Sequence, residues 1–130
     1  MDKINIKQKR VLILEDDEMV RLIIKDYLRV SGFEVLESAD PLSAIDMLKN
    51  DACDLAIVDI NIPQMSGEEF IAKAKNLCPH IQIIIHTGTM DYKVTSKMQE
   101  LGVSQDSVLE KPVEDMNTFV SLINRLVQDD

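Results

Sequence analysis

Five short apolar runs, each followed by a stretch of helical periodicity, constrain this chain more than any other feature. The first, Val11 to Leu14, is apolar at every position, the pattern of a parallel strand covered on both faces. Val20, Ile23, Ile24, Tyr27 and Leu28 then recur at helical spacing, and Ser31-Gly32 ends the segment with a residue suited to the left-handed C-terminal position. Phe33 to Leu36 is expected as strand two. Asp40-Pro41 starts the next helix, the Asp accepting from free N–H groups and the Pro presetting φ, with Ala44, Ile45 and Leu48 on its buried face.

Leu55 to Val58 is expected as strand three, and Ser66 caps a helix buried through Phe70, Ile71, Ala74 and Leu77. Ile81 to Ile85 forms strand four, followed by a helix through roughly Lys93 to Leu101. The short pair Val108-Leu109 and a helix carrying Met116, Phe119, Val120, Ile123 and Val127 complete the alternation. Strict strand-helix alternation implies an α/β fold, a doubly wound parallel sheet with helices on both faces and right-handed crossovers. Strand orders 3-2-1-4-5 and 2-1-3-4-5 both satisfy it.

Length and charge bound the classes that remain. At 130 residues and 45% apolar the chain has the composition of one folded domain. Lys3, Lys7, Lys9 and Arg10 give a basic start, expected as a tail over residues 1–8, with the domain over 9–130. Setting aside those four and Asp2 leaves 10 basic and 22 acidic residues, a body at −12 that repels phosphate backbones and argues against direct nucleic-acid binding. No apolar run approaches the roughly 18 to 20 residues of a membrane span, and the first ten residues contain no signal-like stretch, so the protein is expected in the cytoplasm. Cys53 and Cys78 lie in no metal-binding spacing.

In open α/β sheets ligands gather beyond the carboxyl ends of the strands. Those positions hold Glu15-Asp16-Asp17 after run one, Asp59 after run three, His86-Thr87-Gly88 after run four and Glu110-Lys111-Pro112 after run five. Carboxylates brought together in a partly desolvated pocket repel, and a hard divalent cation relieves them; oxygen ligands with room for water suit Mg²⁺. Lys111 supplies a movable charge for a carboxylate or a phosphoryl oxygen, Thr87 a hydroxyl, and Gly88 room for an anion. An Asp beside Mg²⁺ and Lys has the parts of a phosphoryl-accepting nucleophile, and Asp59, single and central, is the candidate.

The segments VLILEDDEMVR (11–21), DLAIVDINIPQMSG (54–67), IIIHTG (83–88) and EKP (110–112) resemble those of response-regulator receiver domains of two-component signalling, the CheY-like fold. Pro63 and Gly67 follow Asp59 at the spacing of that family's acceptor loop. The resemblance implies a five-stranded parallel sheet of order 2-1-3-4-5 and a flavodoxin-like three-layer sandwich. It makes Asp59 the phosphoacceptor, Asp16 a direct Mg²⁺ ligand, Glu15 a ligand acting largely through water, and the backbone carbonyl of Asn61 a further metal contact. Thr87 and Lys111 would contact the phosphoryl oxygens. The implied donor is a histidine kinase or a histidine phosphotransfer protein. The implied output is an effector of unspecified kind at the face of helix 4, strand 5 and helix 5, with a phosphorylation-dependent dimer left open. Such a protein is a self-catalysing phosphoacceptor rather than an enzyme acting on a separate substrate.

Two features depart from the family pattern. The switch position, commonly Tyr or Phe three residues before the lysine, is Val108, and the segment Gly102 to Lys111 is longer than usual. An altered coupling between Thr87 and the output face is therefore expected. A haloacid-dehalogenase-like phosphatase would need a second Asp two residues after the nucleophile, where Asn61 stands. A receiver-like module that is never phosphorylated fits poorly with Glu15, Asp16, Asp59, Thr87 and Lys111 all present.

Overall fold

A computed structural model describes residues 8–128; the expected tail falls almost wholly outside them. The elements are β1 (Arg10–Leu14), α1 (Glu18–Val30), β2 (Glu34–Ser38), α2 (Pro41–Asn50), β3 (Leu55–Val58), α3 (Gly67–Leu77), β4 (Gln82–Thr87), α4 (Ser96–Glu100), β5 (Val108–Glu110) and α5 (Asn117–Leu126). All strands are parallel, in the order β2-β1-β3-β4-β5. Among the described residues no helix is long and apolar enough to cross a membrane.

Period-two alternation within the apolar runs builds the layers, because successive side chains of a strand point to opposite faces. Leu12, Leu14, Ala56, Val58, Ile83 and Ile85 join the core beneath α2, α3 and α4, with Phe70, Ile71 and Met98. Val11, Ile13, Leu55, Ile57 and Ile84 join the opposite core beneath α1 and α5, with Ile24, Leu28 and Phe119. Each of these Val, Leu, Ile, Phe and Met side chains contributes about 1.5–3 kcal/mol by leaving water, which is why runs apolar throughout occupy the central strands.

The expected caps are present. Asp40 accepts from the Ser43 N–H with Pro41 opening α2, and Ser66 accepts from the Glu69 N–H. Gly32, at φ 101°, takes the left-handed position after α1. Asp17 is drawn away from its acidic neighbours to cap α1, accepting from the Met19 and Val20 N–H groups.

Two expectations need correction. β2 and β4 run two residues past their apolar runs, so Glu37, Ser38, His86 and Thr87 are strand residues, and Glu110 likewise closes β5. Main-chain pairing continues as long as a neighbouring strand lies alongside, whatever the side chain. The fourth helix, expected from Lys93, begins only at Ser96. The side-chain amide of Gln105, in a 3-10 turn over Gln105–Ser107, accepts from the Val94 N–H at 2.9 Å and donates to the Tyr92 carbonyl at 2.8 Å. Those main-chain groups are thereby spent outside the helix, and Thr95 caps what remains. The Asp91 N–H, at a residue with φ 55°, is held by Glu110 at 3.0 Å.

Candidate functional site

The site assembles where β1 lies beside β3. The Asp59 N–H donates to the Leu14 carbonyl at 3.0 Å, so the first residue after β3 stands next to Glu15, the first after β1. On the other side the Lys111 N–H donates to the Thr87 carbonyl at 2.7 Å, joining the end of β4 to the residue after β5. The Lys111–Pro112 peptide bond is cis. Glu15 and Asp59 are buried, 1% and 6% exposed, whereas Asp16 is exposed. Carboxylate oxygens of Glu15, Asp16 and Asp59 all lie within 4.8 Å of one another.

Lys111 balances this charge. Its Nζ lies 2.9 Å from Glu15 Oε1 and 3.0 Å from Asp59 Oδ2. Partial burial opposes its charge, but the two carboxylates outweigh that and hold its pKa above the usual value. Burial would likewise push Glu15 up; His86, Lys111 and the Asp17 N–H overcome it and hold the carboxyl down at about 2. The Asp17 N–H donates to Oε2 at 3.1 Å. His86 Nδ1 stands 3.7 Å from Oε1, a longer approach than the Lys111 and Asp17 contacts. The buried His86 ring meets Phe119 edge-on at 5.1 Å, and neither ring nitrogen has a hydrogen-bond partner among the described residues.

Thr87, fully buried at the end of β4, is joined to the Asp59 loop by Asn61. The Asn61 N–H donates to Asp59 Oδ1 at 2.9 Å, and its side-chain Nδ2 donates to Thr87 Oγ1 at 3.1 Å. Gly67 answers a close approach in the same loop: a Cβ there would stand 2.8 Å from Ile60 Cγ2. A Cβ on Gly88 would meet nothing within 4 Å, so the space beside Thr87 does not depend on glycine. Val108 is half-buried opposite Ile85, packed against the α2, α3 and α4 core.

Glu15, Asp16, Asp59 and Lys111 are thus brought together, with Thr87 tied in through Asn61. The sequence singles out Asn61 for its carbonyl and its position two beyond Asp59 without revealing its bond to Thr87, and it misses Arg21. The Arg21 guanidinium donates to the Glu15 carbonyl at 2.8 Å and to Glu37 Oε1 at 2.9 Å, while Lys25 holds the other Glu37 oxygen at 2.8 Å. Arg21 lies one helical turn past Asp17, and the one signal for its role is an acidic residue at the end of β2.

Sheet order and strand-end chemistry together define a CheY-like α/β domain. The sequence profile of the response regulator receiver domain matches residues 11–124. The chain belongs to that family, the receiver domains of two-component phosphorelays.

Over 103 residues the chain is 36% identical to a cyclic di-GMP phosphodiesterase of Thermotoga maritima, spanning 79% of this chain and 27% of that protein. It is 27% identical over 94 residues to sporulation initiation phosphotransferase F of Bacillus subtilis, 72% of this chain and 76% of that one. The crystal structure of a CheY-like response regulator receiver domain protein from Methanospirillum hungatei JF-1 superposes with a TM-score of 0.78 at 28% identity, covering 92% of this chain and 94% of that one.

Proposed function

We propose that this receiver domain accepts a phosphoryl group on a carboxylate oxygen of Asp59 from a phosphohistidine of a histidine kinase or histidine phosphotransfer protein. The P–N bond to the donor imidazole breaks as the P–O bond to Asp59 forms, and the imidazole nitrogen keeps the electron pair. The observation that carries the reading is the buried Asp59 within 3.0 Å of Lys111 and flanked by Glu15 and Asp16.

The donor set fits a hard divalent cation. Three carboxylate oxygens within 4.8 Å of one another carry more negative charge than the one ammonium of Lys111 offsets. Glu15, Asp16, Asp59 and the Asn61 carbonyl would hold Mg²⁺, which when bound neutralises developing charge on the phosphoryl oxygens. Lys111 follows the charge, moving part of its interaction from Glu15 to a phosphoryl oxygen. Thr87 donates its hydroxyl to another such oxygen, beside which the main chain of Gly88 lies. Arg21 steadies the Glu15 main chain through its carbonyl.

The name of the Bacillus subtilis relative, a phosphotransferase, supports a part in phosphoryl transfer. The activity named for the Thermotoga maritima relative is not carried over, because the chain spans 27% of that protein. The chain turns over its own phosphoryl group and no separate substrate. Output passes through the face of α4, β5 and α5 to a protein partner or a second phosphorylated copy, without nucleic acid, in the cytoplasm, and the coupling to Val108 differs from that of an aromatic ring.

Incubation with Mg²⁺ and acetyl phosphate is expected to add one acid-labile phosphoryl group, detected by mass, and Asp59→Asn to abolish it. An unchanged mass of the unsubstituted protein at saturating Mg²⁺ would overturn the reading in favour of a receiver that is never phosphorylated.

A further inference from the structure

The main chain on both sides of Asp16 is held by side chains. The Glu15 N–H donates to the Ser38 carbonyl at 3.0 Å, and the Glu15 carbonyl accepts from Arg21 Nη1 at 2.8 Å. Glu15 holds the next peptide unit itself, its Oε2 accepting from the Asp17 N–H at 3.1 Å. Peptide units are planar, so fixing the units before and after Asp16 sets the direction in which its Cβ leaves the backbone. Asp16 is exposed, so core packing does not direct its carboxylate, and the main chain has to.

Arg21 is aimed in turn. Its Nε donates to Glu37 Oε1 at 2.9 Å, and Lys25, one helical turn further along α1, holds Glu37 Oε2 at 2.8 Å. The guanidinium is a rigid plane of donors, so anchoring Nε on Glu37 keeps Nη1 facing the Glu15 carbonyl.

We propose that Arg21 and Glu37 are positioning residues for the divalent cation: Glu37 aims Arg21, and Arg21 locks the peptide unit between Glu15 and Asp16, so that the Asp16 carboxylate is set toward Asp59 before the cation arrives. The proposal rests on Glu15, Asp16 and Asp59 being the cation site. Ligands already in place lose less freedom when the cation enters, which is how partners of a metal's ligands raise its affinity without touching it. Charge alone makes the opposite forecast for Arg21. A guanidinium beside the acid cluster repels a divalent cation, so deleting it should tighten binding. The two accounts differ in sign.

Calorimetric titration with Mg²⁺, without phosphodonor and at fixed ionic strength, separates them. Arg21→Met is expected to weaken binding about tenfold. Arg21→Lys keeps the charge, but an ammonium does not reproduce both directed bonds, and the expected loss is about threefold or more. That conservative variant carries the test should Arg21→Met fail to fold. Glu37→Ala is expected to cost about threefold to fivefold, and less than about twofold in the Arg21→Met background, where its target is gone.

Unchanged or tighter Mg²⁺ binding in Arg21→Met, or unchanged binding in Arg21→Lys, would overturn the proposal. So would an undiminished cost of Glu37→Ala once Arg21 is removed. Failure of the unsubstituted protein to bind Mg²⁺ would instead overturn the reading of the acid cluster, and this inference with it.

Discussion

Lys111 and Asp59 meet at 3.0 Å, Nζ to Oδ2, although they lie 52 positions apart in the chain. The same ammonium serves Glu15, so one cation answers two buried carboxylates. This sharing makes the lysine structural as well as chemical.

Replacing Lys111 by Met is expected to destabilise the domain in EDTA by about 2–4 kcal/mol, since removing one partner strands buried charge. Partial exposure of the lysine places the cost toward the lower end. Mg²⁺ should raise the melting temperature more in the variant than in the unsubstituted protein, because it enters without displacing an ammonium. Equal Mg²⁺ effects in parallel thermal melts would contradict the shared-cation account.

Acid should weaken the fold through Glu15. Its carboxyl is held at about 2, below the ordinary 4.5 expected when unfolded. A depressed folded-state value adds stability that is fully present above about pH 4.5 and disappears as pH falls toward 2. The contribution is on the order of 3 kcal/mol. Urea unfolding without divalent cations, compared at neutral pH and near pH 3, should show a smaller loss for Glu15→Gln. Identical losses would remove Glu15 as the source.

Divalent-cation affinity should separate the two acidic neighbours. Glu15→Ala is expected to weaken Mg²⁺ binding about tenfold, as for groups that act through a bridging water. Asp16→Ala, removing a direct ligand, is expected to cost more, on the order of 100-fold. Matching losses in a calorimetric titration would refute the division of roles.

The two glycines near the site should respond differently. Gly67→Ala brings a Cβ to 2.8 Å from Ile60 Cγ2 and is expected to cost about 1–2 kcal/mol, overpacking outweighing the helix propensity gained. Gly88→Ala meets nothing within 4 Å and should change stability by less than about 0.5 kcal/mol. Denaturant midpoints of both variants check this, and a tolerated Gly67→Ala would show that Ile60 yields easily.

The layers were legible because runs such as LAIV assign alternate residues to opposite cores, a pattern that needs no knowledge of partners. The acid cluster was legible because strand ends collect polar residues whose spacing survives translation into space. Strand limits were less so, since Glu37 and His86 pair through main-chain groups indifferent to polarity. Asp17 follows Glu15 and Asp16 at the end of run one, and helix capping gives it a separate task that the run does not reveal. The Asn61 bond to Thr87 and the Arg21 bond to the Glu15 carbonyl depend on contacts between segments, which periodicity does not encode.

Gln105 imitates a neighbouring strand, offering Val94 and Tyr92 the acceptor and donor that a peptide unit would offer. The start of α4 is therefore set from eleven residues downstream of Val94 as well as by the Thr95 cap at the helix itself. A homologue with a residue there that lacks either half of the amide would leave main-chain groups seeking partners, and winding residues 92–95 into the helix is the local way to supply them. Drift at a single exposed position in the 3-10 turn would lengthen a helix elsewhere and redraw the surface this domain presents.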